Sequence, residues 1–350
     1  MTADPNYFTD QIQAKCLDPI PYTVYYGTFV HTPKFGSLEV MPKTAVGVDN
    51  TGVITFIQQH FQDDLLQLGI AKFGVGESSI KVVDKSGSET KFFFPGFIDT
   101  HIHAPQYPNN GIFGESTLLD WLKIYTFPLE ASFKDPAVAH EVYSRVVSRT
   151  LESGTTTAAY YGTIHTQATE ILADTALKTG QRALIGKTCM NDNSPDFYSE
   201  TIQESKQGTL EVMDYIRNRD PSGELVQPII TPRFAASCTD ELMRWLGQLR
   251  KNKDCYCQTH LSENLREIQW MSELFPQYSS YTDIYYQTGL LGRKTVLAHC
   301  IHITDDERDL LVKTGAGVSH CPTSNSSITS GEARVRWLVN SGINVSLGTD

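Results

Sequence analysis

Several side chains that can bind a metal ion occur where the sequence predicts the ends of β-strands. His101 and His103 form a His-x-His pair, and His260, His299 and Asp350 follow three other apolar runs. Side chains two residues apart on a strand point to the same face, so the pair can chelate one ion. Neutral imidazoles together with a carboxylate suit Zn²⁺ or Fe²⁺ and leave a position for water. Because a bound ion lowers the pKa of that water toward ~7, the pattern predicts metal-assisted hydrolysis.

Further polar side chains follow the same strands. Glu263 lies three residues after His260, between the predicted strand and the following helix, so its side chain can reach the same ion. Acids are also common in the first turn of a helix, which would give Glu263 a structural role alone. Arg233 could instead pair with a neighbouring acid, and Phe234 could belong to the core. Asp99 is expected to hydrogen-bond a ligand histidine or nearby backbone. The strand before Arg233 carries no lysine that could bridge two ions, so we predict a mononuclear site.

Eight apolar strand candidates, with a helical segment after each of the first seven, position these residues. Strands covered on both sides that alternate with helices form a parallel sheet. Eight such units predict an α/β fold of the (β/α)₈ TIM-barrel type, in which catalytic residues stand at the carboxyl ends of the strands. Thr304 and Glu307 form a capping box for one helix, which Gly315 ends. The strand candidates are Phe94–Ile98, Thr155–Tyr161, Arg182–Met190, Pro228–Thr231, Tyr256–His260, Thr295–His299, Ala316–His320 and Asn344–Leu347.

The first 93 residues have a different pattern. Short β-type runs are separated there by Gly, Pro and Asn-Thr-Gly turns. We therefore predict two domains, a small N-terminal β-sandwich portion over residues 1–93 and the catalytic barrel over residues 94–350. The N-terminal runs are Tyr22–Phe29, Ala45–Val48, Val53–Ile57 and Ile80–Val83.

Composition excludes several classes of protein. The 350 residues carry 29 Lys and Arg against 40 Asp and Glu, a net charge of −11. An acidic chain without basic clusters is a poor partner for nucleic acid. No apolar run approaches the ~18 residues of a membrane helix, and the N-terminus lacks the apolar core of a signal peptide. Seven cysteines, an odd number, fit reduced thiols. We expect a cytoplasmic protein with no nucleic-acid or membrane partner.

A longer segment around the histidine pair, PGFIDTHIHAPQY at residues 95–107, resembles the opening metal motif of the amidohydrolase superfamily and, within it, the guanine deaminases. The likeness runs from about Tyr22 to the last residue. It implies a metal-dependent barrel with a small β-sandwich that hydrolyses guanine to xanthine and ammonia, with guanine and water as substrates, in a homodimer. Supporting segments are LLDWLKIYTFPLE (118–130), GTTTAAYYGT (154–163), PRFAASC (232–238), QTHLSEN (258–264), LAHCIH (297–302), SHCPTSNSSITSG (319–331) and LGTD (347–350).

The resemblance also implies a role for each candidate residue. It implies one Zn²⁺ per chain, with Fe²⁺ as the alternative. Catalysis would involve Glu263 as proton shuttle and His299 as the group that holds the attacking hydroxide and the developing oxyanion, with Asp350 beside them. The chemistry asks for such an acid independently, because hydroxide attack at C2 builds charge that a proton on ring N3 relieves. The implied zinc ligands are His101, His103, His260 and Asp350.

Three more residues would hold the purine, again through the resemblance. The flat edge of guanine alternates hydrogen-bond donors and acceptors. The Gln106 amide and the Arg233 guanidinium can read such an edge, while the Phe234 ring can stack on the face of the base. Spacing alone cannot name the base.

Two alternative functions therefore stay open. One is another deaminase of the same superfamily, acting on cytosine, adenine or a triazine. The other is a catalytically impaired, truncated or purely structural relative, although the presence of all the implied ligands and of Glu263 argues against it. The chain stops at Asp350, directly after the eighth strand candidate. We accordingly expect the C-terminal part of the family fold to be absent.

Overall fold

The chain divides into two units, and each has its own sheet. The computed structural model describes residues 21–112 and 117–350. By backbone contacts the chain divides into residues 1–95 and residues 96–350.

The N-terminal unit contains a four-stranded sheet and a helix. The sheet has the order β3-β2-β1-β4, with β1 antiparallel to β2 and parallel to β4. The helix α1 (Leu65–Phe73) was not predicted; it begins after Asp64, whose carboxylate accepts two backbone N–H groups, and ends at Gly74 in the left-handed conformation. All four predicted strands are present. They are β1 (Tyr22–Lys34), β2 (Ser37–Val48), β3 (Ile54–Gln58) and β4 (Ile80–Asp84).

The second unit is a parallel barrel, as predicted. Its strands follow the order β13-β12-β11-β10-β9-β7-β6-β5, and the short β8 pairs with β9. Each predicted strand has a counterpart, shifted by at most a few residues. The strands are β5 (Phe97–His103), β6 (Thr155–Tyr161), β7 (Arg182–Gly186), β8 (Thr188–Cys189), β9 (Val226–Pro232), β10 (Tyr256–Leu261), β11 (Thr295–His299), β12 (Gly317–His320) and β13 (Val345–Leu347).

Hydrogen bonds between the first and last strands bring the barrel close to closure. The Thr100 hydroxyl lies 2.7 Å from the Ser346 hydroxyl, and the Asp350 N–H donates to the His101 carbonyl at 2.8 Å. This seam places the end of β13 directly beside the histidine pair of β5. Gly348 allows the close approach, since a Cβ there would lie 2.6 Å from Ser319 Oγ and 2.8 Å from His101 Cβ.

A helix follows each of the first seven predicted strands, as expected. The helix α10 (Asp305–Thr314) has the predicted capping box of Thr304 and Glu307 and ends at Gly315. A helix is also present before Gly342, and it includes Trp337 but not Ala333. The helices are α2 (Leu118–Trp121), α3 (Phe127–Ala131), α4 (Pro136–Glu152), α5 (Thr166–Thr179), α6 (Ile202–Arg219), α7 (Asp240–Lys253), α8 (Leu265–Leu274), α9 (Tyr281–Gln287), α10 (Asp305–Thr314), α11 (Pro322–Ser327) and α12 (Val335–Asn340).

The first barrel strand differs most from its prediction. It begins after Pro95, which has no N–H to pair, and continues through both histidines to His103. A register shift between Asp99 and Ile102 marks a β-bulge. The Asp99 carboxylate accepts the His101 N–H at 3.2 Å and the Thr349 N–H at 3.1 Å. Asp99 therefore binds backbone, as predicted, and holds the bulge and the final turn together.

Candidate metal centre and active site

Four side chains that could hold a metal ion meet at the carboxyl end of the barrel. Their donor atoms lie within 4.8 Å of one another. His101 Nε2 lies 2.8 Å from Asp350 Oδ1, and His103 Nε2 lies 3.1 Å from His260 Nε2. The histidines come from β5 and β10, and Asp350 follows β13. The structure thus brings together the four ligands that the resemblance implies.

The hydrogen bonds around this cluster fit a bound cation. His260 Nδ1 lies 2.6 Å from the Arg233 carbonyl, which can only accept, so Nδ1 carries the proton and Nε2 presents a lone pair. Burial lowers the pKa of His103 and His260 well below the ordinary histidine value. Both rings are therefore neutral, the form in which imidazole coordinates metals. Two neutral nitrogens that face each other at 3.1 Å suit a shared cation between them.

Asp350 supplies the negative charge of the cluster. Burial would raise the pKa of Asp350, but the charge and hydrogen bond of His101 hold it well below its ordinary value. The carboxylate is therefore ionised. Its Oδ2 atom lies 3.7 Å from His299 Nε2. Three imidazoles and one carboxylate form a nitrogen-and-oxygen donor set that suits a divalent transition metal.

Glu263 and His299 lie side by side next to the cluster. Glu263 Oε2 is 3.4 Å from His299 Nε2, and the Ser330 hydroxyl donates to Glu263 Oε1 at 2.9 Å. Burial raises the pKa of Glu263 to about 7, although His299 opposes the shift. A carboxyl with that pKa can take up and release a proton at neutral pH.

His299 is held from its other side. Its Nδ1 atom lies 2.8 Å from Asn325 Oδ1, so Nδ1–H donates to the amide. Its Nε2 atom has no hydrogen-bond partner within the described residues and lies at the Glu263 and Asp350 carboxylates. Burial alone would lower the pKa of His299, but those two carboxylates raise it above its ordinary value. The free nitrogen can hydrogen-bond an oxygen atom placed between them.

Glu263 does not lie in the first turn of a helix, so the explanation of this acid by a purely structural role at a helix start is wrong. The helix α8 begins at Leu265, with Asn264 as its N-cap. Glu267 is the acid of the first turn, and it completes a capping box. Glu263 lies before the cap and is 2% exposed, so the helix dipole does not account for it.

A cavity of about 410 Å³ opens onto these residues. Three residues of the four-residue cluster and Glu263 line it together with the residues expected to hold a purine. Helix α2 contributes Trp121 to the same wall. The site residues in the lining are His103, Gln106, Arg233, Phe234, His260, Glu263 and Asp350.

The three residues expected to hold a purine each have partners. Arg233 forms a buried ion pair with Glu130, with NH1 donating at 2.6 Å and NH2 at 3.1 Å. Gln106 Nε2 donates to the same carboxylate at 2.9 Å, so its amide oxygen remains as an acceptor. Phe234 packs into the main apolar core, 6.1 Å from the Trp270 ring, and also lines the cavity. The expected acid partner of Arg233 exists, and the pair lies at the cavity wall.

Comparison with known proteins gives the family. The amidohydrolase family model matches residues 92–350. The chain belongs to the amidohydrolase family. It is 48% identical to a probable guanine deaminase of Schizosaccharomyces pombe, covering 93% of this chain and 61% of that protein. It is 44% identical to a guanine deaminase of Dictyostelium discoideum, covering 93% of this chain and 72% of that protein.

Solved structures agree. A guanine deaminase from C. acetobutylicum, with guanine bound in its active site, superposes with a TM-score of 0.84 at 34% identity, over 94% of this chain and 74% of that one. The E. coli guanine deaminase superposes with the same TM-score at 31% identity, over the same shares of both chains. The resemblance stated from the sequence is thereby confirmed. Family membership and the donor cluster together support a metal cofactor. Among the described residues, no helix is long and apolar enough to cross a membrane.

Sequence reasoning missed several groups that hold this amidohydrolase site together. Glu130, which binds Arg233 and Gln106, lies inside a segment that carries the resemblance but has no local pattern of its own. Asn325 and Ser330 orient His299 and Glu263. A buried acid needs a charged or hydrogen-bonding partner, so an acid in an apolar segment is a signal that could have pointed to Glu130. Its partner, Arg233, is more than a hundred residues away in the sequence.

Strained backbone accompanies the strand ends of the site. Ser262, directly before Glu263, has a φ of 50°, and His299 has a φ of 69°. Non-glycine residues in the left-handed region cost of order 1–3 kcal/mol and persist where surrounding structure imposes them. Ser262 follows β10 and His299 ends β11. The strained backbone there lowers the stability of the fold and sets the directions of the Glu263 and His299 side chains.

Proposed function

We propose that this chain hydrolyses guanine to xanthine and ammonia. The observation that carries the proposal is one cavity whose wall combines a metal-binding cluster, a carboxyl with a pKa of about 7 and a set of polar and aromatic side chains suited to a flat base. Relatives that are 41–48% identical carry the name guanine deaminase. A triazine hydrolase of known structure is only 18% identical to this chain, so its similarity supports the fold alone.

Zn²⁺ is the proposed cofactor, one ion per chain. His101, His103, His260 and Asp350 would hold it, because their donor atoms converge within 4.8 Å and neutral imidazole is the form that coordinates metals. When bound, the ion supplies Lewis-acid activation of a water molecule. Fe²⁺ satisfies the same donor set and is the alternative.

Glu263 would move the protons. As a carboxylate it accepts a proton from the attacking water, and as an acid it delivers that proton to ring N3 of guanine. Its pKa of about 7 makes both forms accessible at neutral pH. His299 Nε2, free and 3.4 Å from Glu263 Oε2, would hydrogen-bond the oxygen that adds to C2. Glu263 would then pass the proton that remains on this oxygen to the amino group, the C2–N bond would break, ammonia would leave, and the oxygen would become the new carbonyl of xanthine.

The base would be held between an aromatic ring and two hydrogen-bonding side chains. Gln106 offers its amide oxygen to ring N–H groups, and Arg233 offers its uncommitted N–H bonds to ring acceptors. Phe234 offers its ring face. Adenine lacks the carbonyl and amino pattern of guanine, so it would leave buried polar groups of the site unpaired.

The test measures the turnover of several candidate substrates by ultraviolet absorbance. Purified zinc-loaded protein should convert guanine to xanthine, with turnover of adenine, cytosine and melamine at least about a hundredfold slower. The Glu263→Gln variant at equal zinc content is the matched inactive control. A faster rate on adenine, cytosine or melamine than on guanine would refute the substrate, and guanine turnover that persists in the control would point to a contaminating enzyme.

We also propose a cytoplasmic homodimer. The six described cysteines are free and buried, which is typical of a reducing compartment. The dimer rests on the family resemblance. Analytical ultracentrifugation should give twice the chain mass, and a monomer at micromolar concentration would contradict it.

A further inference from the structure

One carboxylate organises the purine-reading side of the cavity from behind. Glu130 is completely buried. It accepts hydrogen bonds from both terminal nitrogens of Arg233, from Gln106 Nε2 at 2.9 Å and from the Tyr198 hydroxyl at 2.7 Å. Two of these three partners line the cavity, whereas Glu130 itself does not. Its influence on a ligand must therefore pass through Arg233 and Gln106.

The contacts also fix charge and orientation. The two bonds to Arg233 form a parallel fork at 2.6 and 3.1 Å, which locks the plane of the guanidinium. Burial alone would lower the pKa of Arg233, but Glu130 raises it, so the pair is a cation and an anion held together out of water. Burial and the Glu130 charge also raise the pKa of Tyr198, which stays protonated and donates. For Gln106, the bond to Glu130 decides which end of the amide faces the cavity.

We propose that Glu130 is a positioning residue that selects a neutral purine. It orients Arg233 and Gln106, and it cancels the Arg233 charge, so that Arg233 presents hydrogen-bond donors without a net charge at that side of the cavity wall. The product xanthine carries an extra carbonyl and is more acidic than guanine, so at alkaline pH it is an anion that this wall does not attract. The inference rests on the proposed guanine deamination.

The Glu130→Gln substitution tests this directly. An amide offers one acceptor oxygen where the carboxylate offers two, and its N–H₂ faces the donors of Arg233. The Arg233 plane is released and its charge is no longer cancelled. We expect KM for guanine to rise about 10- to 100-fold, the effect of losing a hydrogen bond to a charged group, with kcat changed less and zinc content unchanged.

A second readout separates positioning from loosened packing. In the variant the uncancelled Arg233 charge favours anions, so at pH 9 the ratio of Ki for xanthine to KM for guanine should fall about tenfold. General disorder of the wall would raise both constants together and leave the ratio unchanged. Glu130→Asp, which keeps the charge, should keep the ratio close to that of the unchanged protein even where KM rises.

Glu307→Gln is the matched control. Glu307 is also a buried carboxylate, but it caps α10 and bonds Thr282 N–H, away from the cavity. The Glu307→Gln substitution should lower the melting temperature and leave KM for guanine unchanged.

The inference is overturned if Glu130→Gln keeps both KM and the ratio of Ki to KM within twofold, or if Glu307→Gln changes KM as much as Glu130→Gln does. If Glu130→Gln does not fold, the ratio in Glu130→Asp decides alone, and a tenfold fall there overturns the charge argument. If the unchanged protein does not deaminate guanine, the proposed function has failed instead.

Discussion

Replacing Glu263 by glutamine should abolish turnover and at the same time stabilise the metal-free protein. The amide has the same shape, can still accept from the Ser330 hydroxyl, and can donate to His299 Nε2, which has no hydrogen-bond partner among the described residues. It cannot move a proton. General acid–base groups contribute ~10²–10⁴-fold, and this one serves two transfers, so we expect kcat to fall by at least about 10³.

The stability gain follows from the pKa of Glu263. Burial raises that pKa from the ordinary 4.5 to about 7. The folded state therefore binds this proton more tightly than the unfolded state, and stability from that proton is lost as pH rises from 4.5 through 7. At pH 8 the ionised carboxylate costs the folded state about 3 kcal/mol, as an upper bound. The amide never ionises. At pH 8 the metal-free variant should therefore be more stable than the unchanged metal-free protein by up to that amount, and at pH 4 the two should be equally stable.

The assay is urea unfolding of chelator-treated protein at pH 5 and pH 8, beside kcat of the zinc-loaded protein. The gap between the variant and the unchanged protein should widen from pH 5 to pH 8. A variant that is less stable at pH 8, or a gap that does not change with pH, would refute the burial argument. A kcat within tenfold of the unchanged protein would show that another residue carries the proton.

Three further substitutions test other parts of the site. His260→Ala should lose both the metal and activity, whereas His140→Ala, which changes a histidine outside the cluster, should keep both by elemental analysis and turnover. Arg233→Lys should change the ratio of guanine to adenine rates by at least about tenfold while zinc content stays constant, because a planar fork is replaced by a point charge; unchanged relative rates would remove Arg233 from recognition. Gly348→Ala would place a Cβ 2.6 Å from Ser319 Oγ and should lower zinc affinity and melting temperature, whereas Gly76→Ala, which meets nothing within 4 Å, should not; equal melting curves would contradict the tight seam.

The barrel and the metal cluster could be predicted because both depend on local patterns. Apolar runs such as Thr155–Tyr161 and Thr295–His299 match β6 and β11 residue for residue. In a parallel barrel the carboxyl ends of all strands meet at one face, so histidines at those ends must come together.

The supporting contacts could not be predicted because they join distant parts of the chain. The bond from Arg233 to Glu130 joins side chains 103 residues apart, and nothing in either local sequence points to the other. The left-handed backbone at His299 does not follow from the local sequence, because only a few per cent of residues other than glycine adopt it. The bulge that sets the histidine pair also depends on pairing with β6, which a single strand does not reveal.

Stoichiometric zinc titration of metal-free protein, read as guanine deamination, tests the central claim most directly. Four donors within 4.8 Å of one another are suited to hold one ion. We predict that activity rises linearly and reaches its plateau at one Zn²⁺ per chain. A plateau at two ions per chain would contradict the mononuclear site, and full activity before any zinc is added would contradict the metal-dependent mechanism.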